Sequence, residues 1–136
     1  MRKTVLKILI IAILVFIFGQ SVLPKMYSAS ESGWLAFLLG IDNDLLRKIA
    51  HFSEYAVFGF LSAMYMACST EKLFSHKNLG HLLCIGFFVG FIDETIQIFS
   101  GRGPMISDVW IDFAGFAAGS VITLLIIYSV RKNKRN

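Results

Sequence analysis

The stretch FFVGFIDETIQIFSGRGP, residues 87–104, opens as lipid-soluble sequence and then sets Asp93, Glu94 and Gln97 among Phe, Ile and Val. Two adjacent carboxylates in such a run need shelter. An Asp at the centre of a membrane-spanning helix costs about 2.5–3.5 kcal/mol on insertion scales, so acids there face other helices or a wet cavity. The rest of the chain has to supply that environment. Of its 136 residues, 56% are apolar and only 16% charged, too apolar a composition for a soluble domain of this size.

Working outward, four runs are long enough to cross a hydrocarbon core, which takes about 20 helical residues: 5–22, 49–68, 79–99 and 109–130. The expected fold is all-α, an integral membrane four-helix bundle. It forms one domain over residues 1–136, because no repeat, low-complexity tract or linker divides the chain. Arg2 and Lys3 ahead of the first run, with small residues at 28–30 behind it, resemble a secretory signal. The apolar stretch is long for that role, which favours a retained helix.

The formal net charge of +4 sits in end clusters: Arg2, Lys3 and Lys7 at one terminus, Arg131, Lys132, Lys134 and Arg135 at the other. Such clusters anchor helices at anionic lipid surfaces, and with no aromatic-basic interleaving they exclude a nucleic-acid partner. Placing both termini in the cytoplasm puts these clusters with Lys72 and Lys77 inside, and Lys25, Arg47, Lys48 and Arg102 outside. The bias gives an N-in, C-in bundle in the cell membrane. Eight acids then fall outside or in the outer half of a helix, and Glu71 alone inside. Cys68 and Cys84 lack CxxC or His spacing and read as small apolar filler. In the first outer connection, Trp34, Leu35, Phe37, Leu38 and Leu39 are too short a run to cross, and fit either an interfacial segment or a loop over the bundle.

In this topology three polar stripes meet at the outer side. His51, Glu54, Tyr55, Phe58, Ser62 and Tyr65 follow steps of three and four along the second helix. Gly86, Gly90, Asp93 and Gln97 do so on the third, with Glu94 on the flank, and Asp108, Asp112, Gly115 and Gly119 on the fourth. Glycine faces let helix backbones approach, so acids continuing such a face point into the bundle. After the third helix, Ser100, Gly101, Gly103 and Pro104 break the helix while Met105 and Ile106 keep the turn apolar, as a re-entrant outer turn requires. That turn would hang Arg102 over the acids. A guanidinium suits a carboxylate or a phosphate equally.

Glu54, Asp93, Glu94, Asp108 and Asp112 outnumber the cations Arg47, Lys48 and Arg102 at this end. Internal pairing leaves acids over, so some are protonated, His51 is charged, or an outside cation joins them. The plainer alternative is a structural network in which Arg102 pairs with Asp108 or Glu94 and fixes helix registry.

These residues also carry a resemblance. RKIAHFSEYAVFG (47–59) and DETIQIFSGRGPMISDVWIDFAGFAAG (93–119) resemble the VanZ-like family of small bacterial membrane proteins. The family pattern falls on Lys48, His51, Tyr55, Asp93, Glu94, Gln97, Arg102, Asp108, Asp112, Gly115 and Gly119. Asp112 departs from it, standing where most relatives carry Asn. The resemblance implies a role in the bacterial cell envelope and in sensitivity to glycopeptides such as teicoplanin, without bringing an agreed reaction.

Three functions compete. In the first, the site binds or modifies an envelope lipid or lipid-linked glycan at the outer leaflet. Arg102 holds a phosphate, with Lys48, Glu54, Tyr55, Gln97, Asp108 and Asp112 lining the site. Glu94 and Asp93 act as acid and base, and His51 moves the proton. Alternatively, Asp93, Glu94 and Asp108 hold a divalent cation, for which oxygen ligands are suited. In the second, the protein shields an envelope component or joins a partner, and the glycine faces are compatible with homo-oligomers. An ion pathway is the third; the apolar inner halves LLCIGFF and VITLLII count against it.

Overall fold

The computed structural model describes residues 2–23, 38, 40–100 and 105–134. They form four helices, α1 (Arg2–Val22), α2 (Asn43–Ser69), α3 (His76–Phe99) and α4 (Ile106–Asn133). The expected helices are all present, each starting at least three residues earlier than its apolar run, because amphiphilic ends continue the helical hydrogen-bonding past the lipid-soluble core. The largest extension is at α2. There the Asp42 carboxylate accepts from the Asp44 N–H at 3.2 Å, satisfying a donor of the first turn, and Asp44 itself lies where the helix dipole favours negative charge. At the other end of the bundle, Arg131 in the last turn of α4 donates to the carbonyls of Ala67 at 2.6 Å and Glu71 at 3.2 Å. It thereby covers carbonyls that the end of α2 leaves without helical partners.

Three helices, Lys3–Val22, His76–Phe99 and Ile106–Asn133, are long and apolar enough to cross a membrane. At 27 residues α2 has the length, but Asn43, Asp44, Arg47, Lys48, His51 and Glu54 occupy its first half. The fold is inverted relative to a soluble bundle. Ile11, Val15, Phe88, Ile98, Ile122 and Ile126 are exposed on the outer faces, while Ser21, Asp93, Glu94, Gln97, Asp108, Asp112, Ser120 and Thr123 are buried. Hydroxyls on the outside turn back on their own helix: Ser53 donates to the Ile49 carbonyl and Thr95 to that of Phe91, each at 2.7 Å. This is how a hydroxyl is satisfied where water is absent. Both cysteines are free and exposed on the bundle exterior.

The most extensive contact joins α2 and α4. A Cβ at Gly115 would strike the Phe52 carbonyl, one at Gly119 that of Ala56, and one at Gly59 that of Phe116. The two backbones therefore touch along a glycine seam. Ser120 fastens it by donating to the Gly59 carbonyl at 3.2 Å. On α3, Gly86 makes room for the Phe116 ring and Gly90 for Asp112 and Tyr55. These glycines are all used within one chain. Beneath the acids, the rings of Phe58 and Phe116 pack with centroids 5.0 Å apart and are almost wholly buried.

Candidate functional site: a buried carboxylate cluster at one end of the bundle

The first half of α2, the last turns of α3 and the first turns of α4 converge, and α1 closes the fourth side with its C-terminal end. Each inward face follows from helical spacing. Tyr55, Phe58 and Ser62 are buried on α2, Gly90, Asp93, Glu94 and Gln97 on α3, and Asp108, Asp112 and Gly115 on α4.

Asp93 and Asp112 are fully buried and Glu94 is 5% exposed. His51 stands between the two aspartates, its Nδ1 3.3 Å from Asp112 Oδ1 and 4.0 Å from Asp93 Oδ2. Ser21 of α1 donates to the other oxygen of Asp93 in a short hydrogen bond. Glu94 is held at both oxygens: Gln97 Nε2 donates to Oε1 at 2.7 Å, and the Met105 N–H donates to Oε2 at 3.3 Å. Tyr55 lies against Asp112 over Gly90. Among the described residues, one ligand atom from each of His51, Asp93, Glu94 and Asp112 falls within 4.8 Å of all the others, a spacing at which the four could share a metal ion.

Toward the end of the bundle, Arg47 bridges Asp44 at 2.9 Å and Asp108 at 3.3 Å, tying α2 to α4. Lys48 donates to Asp44 at 2.7 Å. Glu54, on the α1 side, accepts from Gln20 at 3.2 Å. Among the described residues, the deep acids thus have the His51 imidazole as their basic neighbour, and the guanidinium on α2 serves the shallower Asp108.

This arrangement of buried acids on a glycine-seamed bundle coincides with a family match covering residues 4–127. The chain belongs to the VanZ/LLP1 family. The match runs through all four helices and includes every residue of the cluster. No curated protein and no solved structure matches the chain. With its three spanning helices, this VanZ/LLP1 chain is a membrane protein.

Of the residues singled out in the sequence, His51, Tyr55, Asp93, Glu94, Gln97 and Asp112 come together, with Glu54 and Asp108 at the margins. Lys48 is taken up by Asp44. Asp108, expected beside Asp93 and Glu94 as a cation ligand, is ion-paired with Arg47, and its place in the group of four is filled by Asp112 and His51. Arg102, the turn around it and residues 34–37 lie outside the described residues. Gln20 and Ser21 escaped the sequence reading, and Arg47 entered it only as one of the cations at this end. A signal existed for the first two, since they are the polar pair that ends an apolar helix, LVFIFGQSV. The third carboxylate of the cluster, Asp112, has a chemical consequence. An Asn amide could donate to the neighbouring carboxylates, whereas an ionised carboxylate adds acceptors to acceptors.

Proposed function

We propose that this VanZ/LLP1 protein works in a bacterial cell envelope with both termini cytoplasmic. Its acid-lined end lies at the outer leaflet, where it binds or modifies an envelope lipid or lipid-linked glycan and so changes sensitivity to glycopeptides such as teicoplanin. The observation that carries this reading is the segregation of charge along the bundle. Asp42, Asp44, Glu54, Asp93, Glu94, Asp108 and Asp112 lie at one end with Arg47 and Lys48, and Lys3, Lys7, Lys72, Lys77, Arg131, Lys132 and Lys134 at the other with Glu71. Basic residues stay on the cytoplasmic side of a membrane protein, so the acid end faces out. Arg102, in the connection between α3 and α4, supplies the fork for a phosphate in this reading. Glu94 and Asp93 serve as acid and base, with His51 as the proton carrier.

The Phe58 and Phe116 rings, buried between the cluster and the opposite end, weigh against ion conduction. Shielding through a self-associating glycine face has less support, because Gly59, Gly115 and Gly119 are packed within the chain. The test expresses Glu94→Gln and Arg102→Lys variants at wild-type level in membranes and measures teicoplanin susceptibility. The proposal expects both variants to lose the protection that the wild type confers. Full protection by both would remove it.

A further inference from the structure

Among the described residues, five buried side-chain atoms make no hydrogen bond of good geometry: Tyr55 Oη, Asp93 Oδ2, Asp112 Oδ2, and His51 Nδ1 and Asp112 Oδ1, which face each other at 3.3 Å. All five belong to one cluster. Buried polar atoms are satisfied as a rule, and a concentration of exceptions on facing helices marks the place of something that satisfies them together. Three of the four residues concerned are acceptors or basic nitrogen. The Tyr55 hydroxyl, wholly buried among the same acids, is a separate group with no hydrogen-bond partner.

We infer that His51, Asp93, Glu94 and Asp112 form a binding site for one divalent first-row metal ion of the Mn2+ or Zn2+ class. This inference does not depend on the lipid reading, and it replaces the acid, base and proton-carrier roles given there to Glu94, Asp93 and His51 with metal ligation. Its geometry comes from three helices, with His51 from α2, Asp93 and Glu94 from α3, and Asp112 from α4. Ligand atoms bonded at about 2.1 Å to one ion stand about 3.0–4.2 Å apart. The four donor atoms lie within 4.8 Å of one another, close to that spread. The ligands are also held from behind, as metal ligands are. Ser21 fixes Asp93 through its other oxygen, and Gln97 and the Met105 N–H fix Glu94. That leaves Asp93 Oδ2 and both Asp112 oxygens free to bind.

The donor set selects the metal class. One imidazole nitrogen with three carboxylates is poorer in oxygen than Ca2+ sites and less hydrated than Mg2+ prefers. No thiolate is at hand for a copper(I) or cluster site, since Cys68 and Cys84 are exposed on the exterior. A dication would offset two of the three carboxylate charges in a bundle whose described Lys and Arg side chains near the acids, Arg47 and Lys48, are committed to Asp44 and Asp108.

The experiment titrates chelator-stripped, tag-free protein in detergent with Mn2+, following the free ion by electron paramagnetic resonance, and repeats it with Zn2+ by competition against a chromophoric chelator. One ion per chain is expected, with nitrogen coupling in the pulsed spectrum of bound Mn2+. Asp112→Asn and His51→Gln, nearly isosteric changes, are expected to weaken binding at least tenfold, and His51→Gln to abolish the nitrogen coupling. His81→Gln and Glu71→Gln, at the far end of the bundle, are expected to leave binding and spectrum unchanged. Absence of binding by folded wild type, or binding and nitrogen coupling that survive in His51→Gln, would overturn the inference. Should a variant fail to fold, the wild-type stoichiometry and spectrum still decide it.

Discussion

At the scale of single residues, the site separates groups that are satisfied from groups that are not, and the two should respond oppositely to truncation. Ser21 gives its hydroxyl to Asp93, a fully buried carboxylate. Ser21→Ala deletes the donor and leaves the acceptor, which costs about 1–3 kcal/mol when the remaining group stays buried. The Tyr55 hydroxyl has no partner in the metal-free cluster. Tyr55→Phe should therefore leave stability within about 0.5 kcal/mol of wild type, or raise it, because no bond is lost and a buried polar group is removed. Thermal unfolding of the two variants in the same detergent checks this. A Tyr55→Phe loss as large as that of Ser21→Ala would show that the hydroxyl is bonded after all. The convergence of His51, Asp93 and Asp112 was legible in the sequence because helical spacing aligns each with glycines or aromatics on its own face. Ser21 and the Arg47–Asp108 pair were not, because which residue meets which across two helices is set by axial offset, and spacing within one helix does not encode it.

At the scale of elements, the close approach of α2 and α4 is what brings Asp108 and Asp112 against His51. The seam depends on missing Cβ atoms. Gly119→Ala places a methyl on the Ala56 carbonyl, backbone against backbone, so the helices must separate. Overpacking of this kind costs about 1–3 kcal/mol. Gly80, in α3, faces open space. Gly80→Ala should gain up to about 1 kcal/mol from helix propensity alone. Opposite signs for the two glycine-to-alanine changes, read from unfolding midpoints, are the expected result; equal effects would mean that α2 and α4 are not in backbone contact. Helix existence was readable from apolar runs, since only a helix satisfies its own backbone in lipid. Helix starts were not, most of all at α2, where Asn43, Asp44, Arg47 and Lys48 are polar yet helical because Asp42 caps the first turn and Arg47 and Lys48 pair with Asp44. The α2 composition also explains why three helices, and not four, meet the hydropathy expected of a span.

At the scale of the molecule, the chain is a bundle with an acidic end and a basic end, sealed between them by Phe58 and Phe116. The envelope-lipid proposal requires the acidic end to face outward, and this is open to direct test. In a background carrying Cys68→Ala and Cys84→Ala, single cysteines are introduced by Asn43→Cys, at the exposed start of α2 beside the acids, and by Lys77→Cys, exposed at the opposite end. Intact cells are treated with a membrane-impermeant maleimide. The account predicts labelling of the Asn43→Cys protein in intact cells and of the Lys77→Cys protein only after permeabilisation. The reverse pattern would put the carboxylate cluster at the cytoplasmic face and contradict it.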